Sequence, residues 1–268
     1  MDVSYRKKQI SMDVMTITEN KFTIGSTALY YKKWEIENAK QTIVLLHDSL
    51  GCTVLWREWP QELAEALQMN VISYDRRGYG LSDNYKVKRP INYLEQEAEI
   101  LHQLKQYWQL EQPIVFGFSD GASIATIYAG MYPDSLSKLI IEGVHVLLEE
   151  QTLQGVRDAK ITLETTKIAK VLEKYHGDKV MDLYTAWTDT WLSEGHQTWN
   201  IEHFIPQIKV PVFVFQGEND EFGSINQVHA FDTALGKVTK WIVKHATHTA
   251  HKEKKEEVFA AIVNFIKN

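Results

Sequence analysis

A serine lies between two glycines in the segment Gly117-Phe118-Ser119-Asp120-Gly121. The residues before it, Ile114 to Phe116, form a short apolar run typical of a buried strand, and the residues after it have helical periodicity. A serine on a tight strand-to-helix turn needs small residues two positions away on both sides, because helix and strand approach closely there. The segment therefore predicts a nucleophile elbow with Ser119 as the nucleophile. The alternative is a glycine-rich turn that carries no chemistry.

A serine hydroxyl becomes a good nucleophile only when an imidazole accepts its proton, and a carboxylate must hold that imidazole in one tautomer. The segment Gly217 to Asp220 directly follows the apolar run Val212 to Phe215. Its carboxylates are therefore expected at the carboxyl edge of a sheet, where such groups converge. We predict Asp220 as the acid of a triad. The alternatives are an ordinary solvated acidic loop and three other carboxylates: Glu218, Glu221 and Glu142.

Three histidines follow the last predicted strand, Lys240 to Lys244, within the segment His245 to Glu253. His248 lies in the middle of the predicted loop and is the predicted base, with His245 as an alternative closer to the strand. His251 is expected to cap or support the start of the terminal helix. No metal site is predicted, because the chain has no H-E-x-x-H pattern and no carboxylate shares a helix face with these histidines.

Acyl transfer also needs hydrogen-bond donors aimed at the developing oxyanion. In folds with such an elbow, one donor is the amide after the nucleophile and another comes from a loop after an early strand. These would be the amides of Asp120 and Ser49. His47, in the same loop, is predicted to be a structural histidine that hydrogen-bonds the loop backbone. The loop from Tyr74 to Ser82 is interpreted as a hydrogen-bonded support for the elbow.

These segments need a framework of alternating strands and helices, and the sequence predicts one. Short apolar runs typical of strands buried on both faces recur along the chain. They are Ile43–Leu46, Val71–Tyr74, Ile114–Phe116, Leu139–Ile141 and Val212–Phe215. Segments with helical periodicity lie between or after them, at residues 54–68, 91–110, 120–132, 224–235 and 253–267. Residues 13–34 alternate around Gly25, which predicts an antiparallel hairpin at a sheet edge. The fold class is therefore α/β with a mostly parallel sheet.

Residues 145–205 interrupt this alternation, because they are mostly helical by period and rich in aromatic side chains. We predict a core formed by residues 1–144 and 206–268, with residues 145–205 inserted as a helical cap. The alternative is a plain helical subdomain that packs its own aromatics. The aromatic residues of the insertion are Tyr175, Tyr184, Trp187, Trp191, Trp199 and Phe204.

Composition excludes several classes of protein. The chain has 268 residues, 44% of them hydrophobic and 24% charged, which is enough apolar material for a folded core. A formal net charge of −6 argues against a nucleic-acid or anionic-membrane binder. The one cysteine, Cys52, cannot form an intrachain disulfide, and the first residues lack the apolar core of a signal peptide. We therefore expect a cytoplasmic protein without a membrane span.

Taken together, these segments resemble the α/β-hydrolase superfamily over essentially the whole chain. The loop His47-Asp48 resembles the family's His-Gly loop, with Asp48 in place of the usual glycine. The segment Asp75 to Ser82 matches the pattern D-x-R-G-x-G-x-S, and Gly217 with Asp220 matches G-x-x-D. The pattern H-x-x-H-x-E falls on His248, His251 and Glu253. The resemblance implies an α/β-hydrolase fold with a cap, and a serine hydrolase that needs no cofactor.

Within that superfamily, Ser119-Asp120-Gly121 together with Gly155 to Asp158 is similar to the branch of the biphenyl hydrolase-like enzymes. This resemblance implies hydrolysis of small esters, including amino-acid esters. Related capped members cleave carbon–carbon bonds or open lactones with the same triad, so the fold alone does not select the chemistry. A ligand-binding receptor or scaffold with little turnover is the alternative outside enzymology.

Two further expectations concern substrate binding. Trp187, Trp191 and Trp199 of the insertion are expected to line an apolar pocket facing Ser119, because binding sites of capped folds lie between the two layers. Asp120 is the second residue of interest, since a carboxylate beside a forming oxyanion opposes the reaction. Its side chain is expected either to be held by Arg76, Arg77 or backbone donors, or to bind the ammonium group of an amino-acid ester.

Overall fold

The computed structural model describes residues 15–85 and 88–268. Residues 13 and 14 of the predicted hairpin lie outside the described part. So do the first residues of the chain, whose sequence was the basis for expecting no signal peptide. The described strands are β1 (Met15–Ile24), β2 (Thr27–Ile36), β3 (Thr42–Leu46), β4 (Asn70–Tyr74), β5 (Ile114–Phe118), β6 (Lys138–Glu142), β7 (Val212–Gly217) and β8 (Val238–Val243). They form one sheet in the order β1-β2-β4-β3-β5-β6-β7-β8.

The sheet is antiparallel at one edge and parallel elsewhere. β1 pairs with β2, and β2 with β4, in the antiparallel sense, whereas β4, β3, β5, β6, β7 and β8 pair in parallel. The predicted hairpin therefore forms the edge of the sheet, with its turn at Gly25. The mostly parallel sheet predicted from the apolar runs is confirmed.

The described helices are α1 (Trp59–Leu67), α2 (Tyr93–Tyr107), α3 (Asp120–Met131), α4 (Glu150–Thr165), α5 (Ile168–His176), α6 (Val180–Trp191), α7 (Asn226–His229), α8 (Ala250–Glu253) and α9 (Lys255–Lys267). They cover both faces of the sheet. Val44 and Leu46 of β3 pack with residues of α2 and α3, while Ile43 and Leu45 pack with residues of α1 and α9. All five residues of β3 are consequently buried, which explains its continuous apolar sequence.

Three predicted helices differ in detail. The segment 54–68 is a 3₁₀ turn, Thr53–Trp56, followed by α1; Pro60 has no N–H to donate, so it sits in the first turn of a new helix. The segment 224–235 contains only α7 and a 3₁₀ turn, in which Val228 and Phe231 are both buried. A 3₁₀ turn places residues three apart on one side. The segment 253–267 is broken at Lys254, between α8 and α9.

Helices α4, α5 and α6 lie between β6 and β7 in the chain, within the segment 145–205. The two ends of this segment meet, because Leu147 and Asn200 form an antiparallel bridge and Ile201 N–H donates to Val146 O at 2.7 Å. The three helices also contact one another. The two ends of the inserted segment thus lie together just beyond the carboxyl end of β6, and the chain re-enters the sheet at Val212 of β7.

Candidate active site

Ser119 occupies the turn between β5 and α3. Its backbone has φ +56° and ψ −121°, a conformation that residues other than glycine rarely adopt. A Cβ atom on Gly117 would lie 2.2 Å from the Gly121 carbonyl oxygen, and one on Gly121 would lie 2.1 Å from Leu46 O. Both positions therefore require glycine, because the strand and the helix are too close for any side chain. This is the strained strand-to-helix turn that the G-x-S-x-G segment predicts.

The histidine loop and the acidic loop converge on this serine. Ser119 Oγ lies 2.9 Å from His248 Nε2, and His248 Nδ1 lies 2.9 Å from both carboxylate oxygens of Asp220. Asp220 lies in the loop after β7, and His248 lies between β8 and α8. All three side chains are largely buried. The arrangement is a continuous hydrogen-bonded path in which the serine hydroxyl donates to the imidazole and the imidazole N–H donates to the carboxylate.

The environment adjusts the proton affinity of the imidazole. Burial by itself lowers the pKa of His248, but the adjacent Asp220 carboxylate outweighs burial and raises that pKa above its usual value. The reverse holds for Asp220: burial raises its pKa, but the His248 imidazole outweighs burial, so the pKa lies below its usual value. Asp220 is therefore ionised at neutral pH, and it stabilises the imidazolium that forms when His248 accepts a proton.

The competing acids and bases occupy other places. Glu218 accepts the His245 backbone N–H, and both side chains are substantially exposed. Glu221 accepts the backbone N–H of His248 at 3.1 Å and reaches the rim of the site. Glu142 lies 2.8 Å from the His251 ring and accepts the His251 N–H, so this buried pair supports the start of α8. None of these groups replaces Asp220 or His248 in the path to Ser119.

The loop after β3 brings Ser49 to the same place. Ser49 is buried and lies in the wall of the site. The Asp120 N–H is at the first position of α3, where no carbonyl of the helix can accept it. Within the described residues, the N–H groups of Ser49 and Asp120 donate to no backbone carbonyl outside helices and strands. The two amides predicted as oxyanion donors thus have no such partners, and both residues line the same cavity as Ser119.

Two histidines hold the loop that carries Ser49. His47 Nδ1 contacts Asp48 O at 2.8 Å, and His47 Nε2 accepts the Arg76 N–H at 3.0 Å, which is the structural role predicted for it. His176 was not anticipated from the sequence. Its Nδ1 accepts the Gly80 N–H, and its Nε2 lies 2.9 Å from Leu50 O. Because His176 belongs to α5, it connects the inserted helices directly to the loop of Ser49.

The Asp120 side chain is held from one side. Its Oδ2 lies 3.5 Å from Arg76 Nη1 and accepts the Tyr93 hydroxyl at 3.1 Å, and Tyr93 in turn accepts Trp191 Nε1–H. Asp120 and Arg76 are each 1% exposed. Arg77, the other arginine considered for this role, instead pairs with Glu97 at 2.8 Å. The side chain points away from free solvent, into a buried network that reaches the inserted helices.

A cavity of about 180 Å³ lies above Ser119, between the carboxyl ends of the parallel strands and helices α4 and α6. Trp187 and Trp191 line it, as predicted, but Trp199 does not; its ring lies behind Trp191, with ring centroids 5.4 Å apart. The reason is that Trp199 stacks on His196, outside the cavity wall. The described lining residues are Asp48, Ser49, Leu50, Phe118, Ser119, Asp120, His145, Thr152, Val156, Trp187, Trp191, Glu221, Phe222, His248 and Thr249.

The lining includes His145 and Thr152, which sequence reasoning did not select. His145 follows β6 at the carboxyl edge of the sheet, so its position was a usable signal. Thr152, in the first turn of α4, gave no such signal. Among the described residues, no group of three or more His, Cys, Asp or Glu side chains is arranged to hold a metal ion. Likewise, no described helix is long and apolar enough to cross a membrane.

Comparison with known proteins identifies a family model and several relatives that match the chain. The family model described as alpha/beta hydrolase fold matches residues 41–194, more than half of the chain. The serine hydrolase BPHL of Mus musculus is 26% identical over 213 residues, which cover 76% of this chain and 71% of the mouse protein. An (R)-3-hydroxydecanoyl-ACP:CoA transacylase of Pseudomonas putida is 20% identical over 251 residues, covering 86% of this chain and 84% of the relative.

The fold is shared with solved structures as well. The 2-hydroxy-6-oxo-6-phenylhexa-2,4-dienoate hydrolase (BphD) from Rhodococcus sp. strain RHA1 superimposes with a TM-score of 0.76. The match covers 95% of this chain and 100% of the other, at 16% sequence identity. A likeness at that identity concerns the fold alone.

Proposed function

The chain belongs to the α/β-hydrolase family, and on that premise we propose that it is a serine hydrolase of small carboxylic esters that works through an acyl-enzyme on Ser119. The observation that carries the proposal is the hydrogen-bonded path from Ser119 through His248 to Asp220. The Ser119 end of this path lines a cavity of about 180 Å³. A serine without a base at 2.9 Å would have no means of losing its proton as it attacks.

In the proposed reaction, Ser119 Oγ attacks the ester carbonyl while its proton moves to His248 Nε2. The carbonyl oxygen becomes an oxyanion, which would accept hydrogen bonds from the amides of Ser49 and Asp120. His248 then donates its proton to the departing alkoxide, and the alcohol leaves an acyl-enzyme. A water molecule, deprotonated by His248, attacks that acyl group and releases the carboxylic acid, returning the proton to Ser119. Asp220 keeps Nε2 free to accept by holding the proton on Nδ1.

The charge of the cavity wall supports a neutral or cationic substrate. Three acidic residues, Asp48, Asp120 and Glu221, are among the described lining residues, and no lysine or arginine is; of the three, Asp120 is paired with the buried Arg76. A substrate carboxylate would meet like charges there without a cation to pair with. This argues against substrates such as the dienoate named for the Rhodococcus hydrolase. Carbon–carbon cleavage of such acids is therefore the weaker alternative.

We further propose amino-acid esters as substrates. The support for them is the set of acidic residues in the cavity wall more than Asp120 alone. One oxygen of Asp120 is already bonded to Arg76 and Tyr93. Those contacts support a positioning role for Asp120, with the charge of the carboxylate balanced by the guanidinium. An ammonium group would instead gain from the other two acidic lining residues, Asp48 and the exposed Glu221.

We also propose that residues 145–205 act as a cap over the site, with residues 1–144 and 206–268 as the core. The support is the contribution of α4 and α6 to the cavity wall through Val156, Trp187 and Trp191. The cap thereby excludes water from the side of the cavity opposite Ser119, which strengthens the electrostatic interactions inside.

A fluorophosphonate probe tests the proposed function directly. We expect wild-type protein to be labelled within minutes on Ser119, and Ser119→Ala to remain unlabelled. Ser119→Ala and His248→Ala should each lower the turnover of a short-chain ester by roughly 10⁴-fold or more, because triad members act as a unit. His245→Ala is the matched control and should retain turnover, since His245 is exposed and pairs with Glu218.

Two results would contradict the proposal. A folded wild-type protein that neither reacts with the probe nor hydrolyses any ester of a panel from acetyl to octanoyl would favour a ligand-binding protein on this fold. Loss of activity in His245→Ala with activity kept in His248→Ala would overturn the assignment of the base.

A further inference from the structure

Two buried polar side chains in the cavity wall have no hydrogen-bond partner among the described residues. His145 is 4% exposed, and neither of its ring nitrogens makes a hydrogen bond of normal geometry, although the Phe222 backbone lies near enough to the ring to raise its pKa; Thr152 is 1% exposed, and its hydroxyl is unbonded. Buried polar groups are nearly always paired in folded proteins, so two orphaned groups in one cavity need an explanation.

Backbone hydrogen bonds and ring packing hold His145 in place. Its backbone is tied to α3, because Ser123 Oγ donates to His145 O at 2.7 Å and lies 3.2 Å from His145 N. Its ring packs edge-on against Trp191, with centroids 5.2 Å apart, and lies 5.8 Å from the His248 ring. The His145 ring thus lies beside the imidazole of the triad, in the wall of the cavity that Ser119 also lines.

The ring is uncharged at physiological pH. Burial, together with the neighbouring His248, lowers the pKa of His145 to about 4. A neutral imidazole offers one donor and one acceptor, and a threonine hydroxyl offers the same pair of functions. The group that best satisfies both is itself a donor and an acceptor, as a hydroxyl is.

We infer that His145 and Thr152 form a polar subsite that binds a hydroxyl group of the substrate, on a carbon near the scissile ester bond. The inference rests on the proposed ester hydrolysis and names a substrate class for it, the hydroxylated esters. Trp187, Trp191 and Phe222 supply apolar parts of the same wall, so the subsite is one of the places where the cavity can select for polarity.

The test compares three esters that differ in one hydroxyl: ethyl butanoate, ethyl 3-hydroxybutanoate and 2-hydroxyethyl butanoate. The second carries the hydroxyl on the acyl side and the third on the alcohol side, so the pair shows which part of the substrate reaches the subsite. We expect wild-type protein to prefer one hydroxylated ester over ethyl butanoate by about 10- to 100-fold in kcat/KM. His145→Leu and Thr152→Val should each reduce this ratio towards one.

Matched controls separate a subsite from a general effect of packing. His196 is also a buried histidine with unbonded nitrogens and also packs on Trp191, but it lies outside the cavity wall. Thr188 is buried in α6, and its hydroxyl donates to Tyr184 O. His196→Leu and Thr188→Val should preserve the ratio even if they change stability.

Failure of the subsite and failure of the proposed function give different results. If wild-type protein hydrolyses ethyl butanoate without preferring either hydroxylated ester, or if the ratio survives in His145→Leu combined with Thr152→Val, the subsite is refuted and the hydrolase stands. If no ester is hydrolysed, binding of the same three esters is measured through the fluorescence of the cavity tryptophans. A roughly tenfold tighter binding of a hydroxylated ester, lost in the two variants, would then support the subsite; equal binding would refute it.

Discussion

Replacing Asp120 by asparagine tests whether this carboxylate positions the site or binds substrate. The change removes one negative charge and keeps the size of the side chain. In the structure, Asp120 Oδ2 is 3.5 Å from Arg76 Nη1, and both residues are 1% exposed. Asp120→Asn would therefore leave the Arg76 guanidinium buried beside a neutral group, next to the nucleophile.

The expected cost follows from burial. Breaking a buried ion pair by removing one partner typically lowers the free energy of unfolding by 3 to 5 kcal/mol. We expect about 3 kcal/mol, at the low end of that range, because Arg76 keeps two other contacts. Its Nη2 still donates to Asp48 O at 2.7 Å, and its guanidinium still lies over the Tyr79 ring, 4.6 Å from the centroid.

Urea unfolding measures this cost, and Glu19→Gln is a matched control. Glu19 and Lys32 form a shorter ion pair, at 2.8 Å, but the Glu19 side chain is 52% exposed. Removing such a surface pair should cost at most about 1 kcal/mol, because water screens the charges. A comparable loss of stability in the two variants would refute the argument that burial makes the Arg76 pair important.

Activity distinguishes the two roles of Asp120. A positioning role predicts equal losses of kcat/KM on ethyl alaninate and ethyl propanoate, since both depend on the same oxyanion amide and the same α3 terminus. Ammonium binding predicts a loss of roughly 10- to 100-fold on the amino-acid ester alone. A selective loss of that kind, with unfolding unchanged, would overturn the positioning role.

Three further predictions concern the catalytic groups and the cap. His248 must be neutral to accept a proton, and Asp220 raises its pKa, so kcat/KM should fall towards acid pH with an apparent pKa above 6.5. In Asp220→Asn, burial is no longer outweighed and lowers the pKa of His248, so the acid limb of the residual activity should move to lower pH. His176→Gln should retain more kcat than His176→Asn, because a glutamine amide can still reach Leu50 O and hold the Ser49 loop; equal losses would show that the contact does not matter. Trp187→Ala should raise KM for long-chain esters by about tenfold and leave acetyl esters nearly unchanged, as a chain-length series of steady-state kinetics would reveal.

Much of the framework was readable from local patterns. The buried strands were predicted within a few residues, because a strand covered on both faces must be apolar throughout. The hairpin at the sheet edge was equally legible from its alternation. The boundaries that were wrong lie in segments 54–68, 224–235 and 253–267, where a proline, a 3₁₀ turn and the break at Lys254 interrupt the helical period.

The site was only partly readable, because its contacts join residues far apart in the chain. Ser119 and His248 are separated by 129 positions, and His176 contacts Leu50 across 126 positions. Local pattern has no information about such pairs beyond the rule that parallel strand ends share one edge of the sheet. That rule brought Asp220 and His248 into consideration, but it did not separate Asp220 from Glu218 and Glu221.

By itself, the sequence determined the elements and the residues that a tight turn requires. A Cβ atom on Gly117 would meet the Gly121 carbonyl oxygen within the same five residues, so the turn itself sets that requirement, whereas glycine at position 121 is required by Leu46 O of the distant β3. Tertiary structure alone decided which charges and polar groups meet: Asp120 pairs with Arg76 and not with Arg77, Trp199 contacts Trp191, and His145 and Thr152 line the same cavity. The physical reason is that burial and pairing are set by the packing of distant segments, whereas the conformational demands of a turn are set by its own backbone.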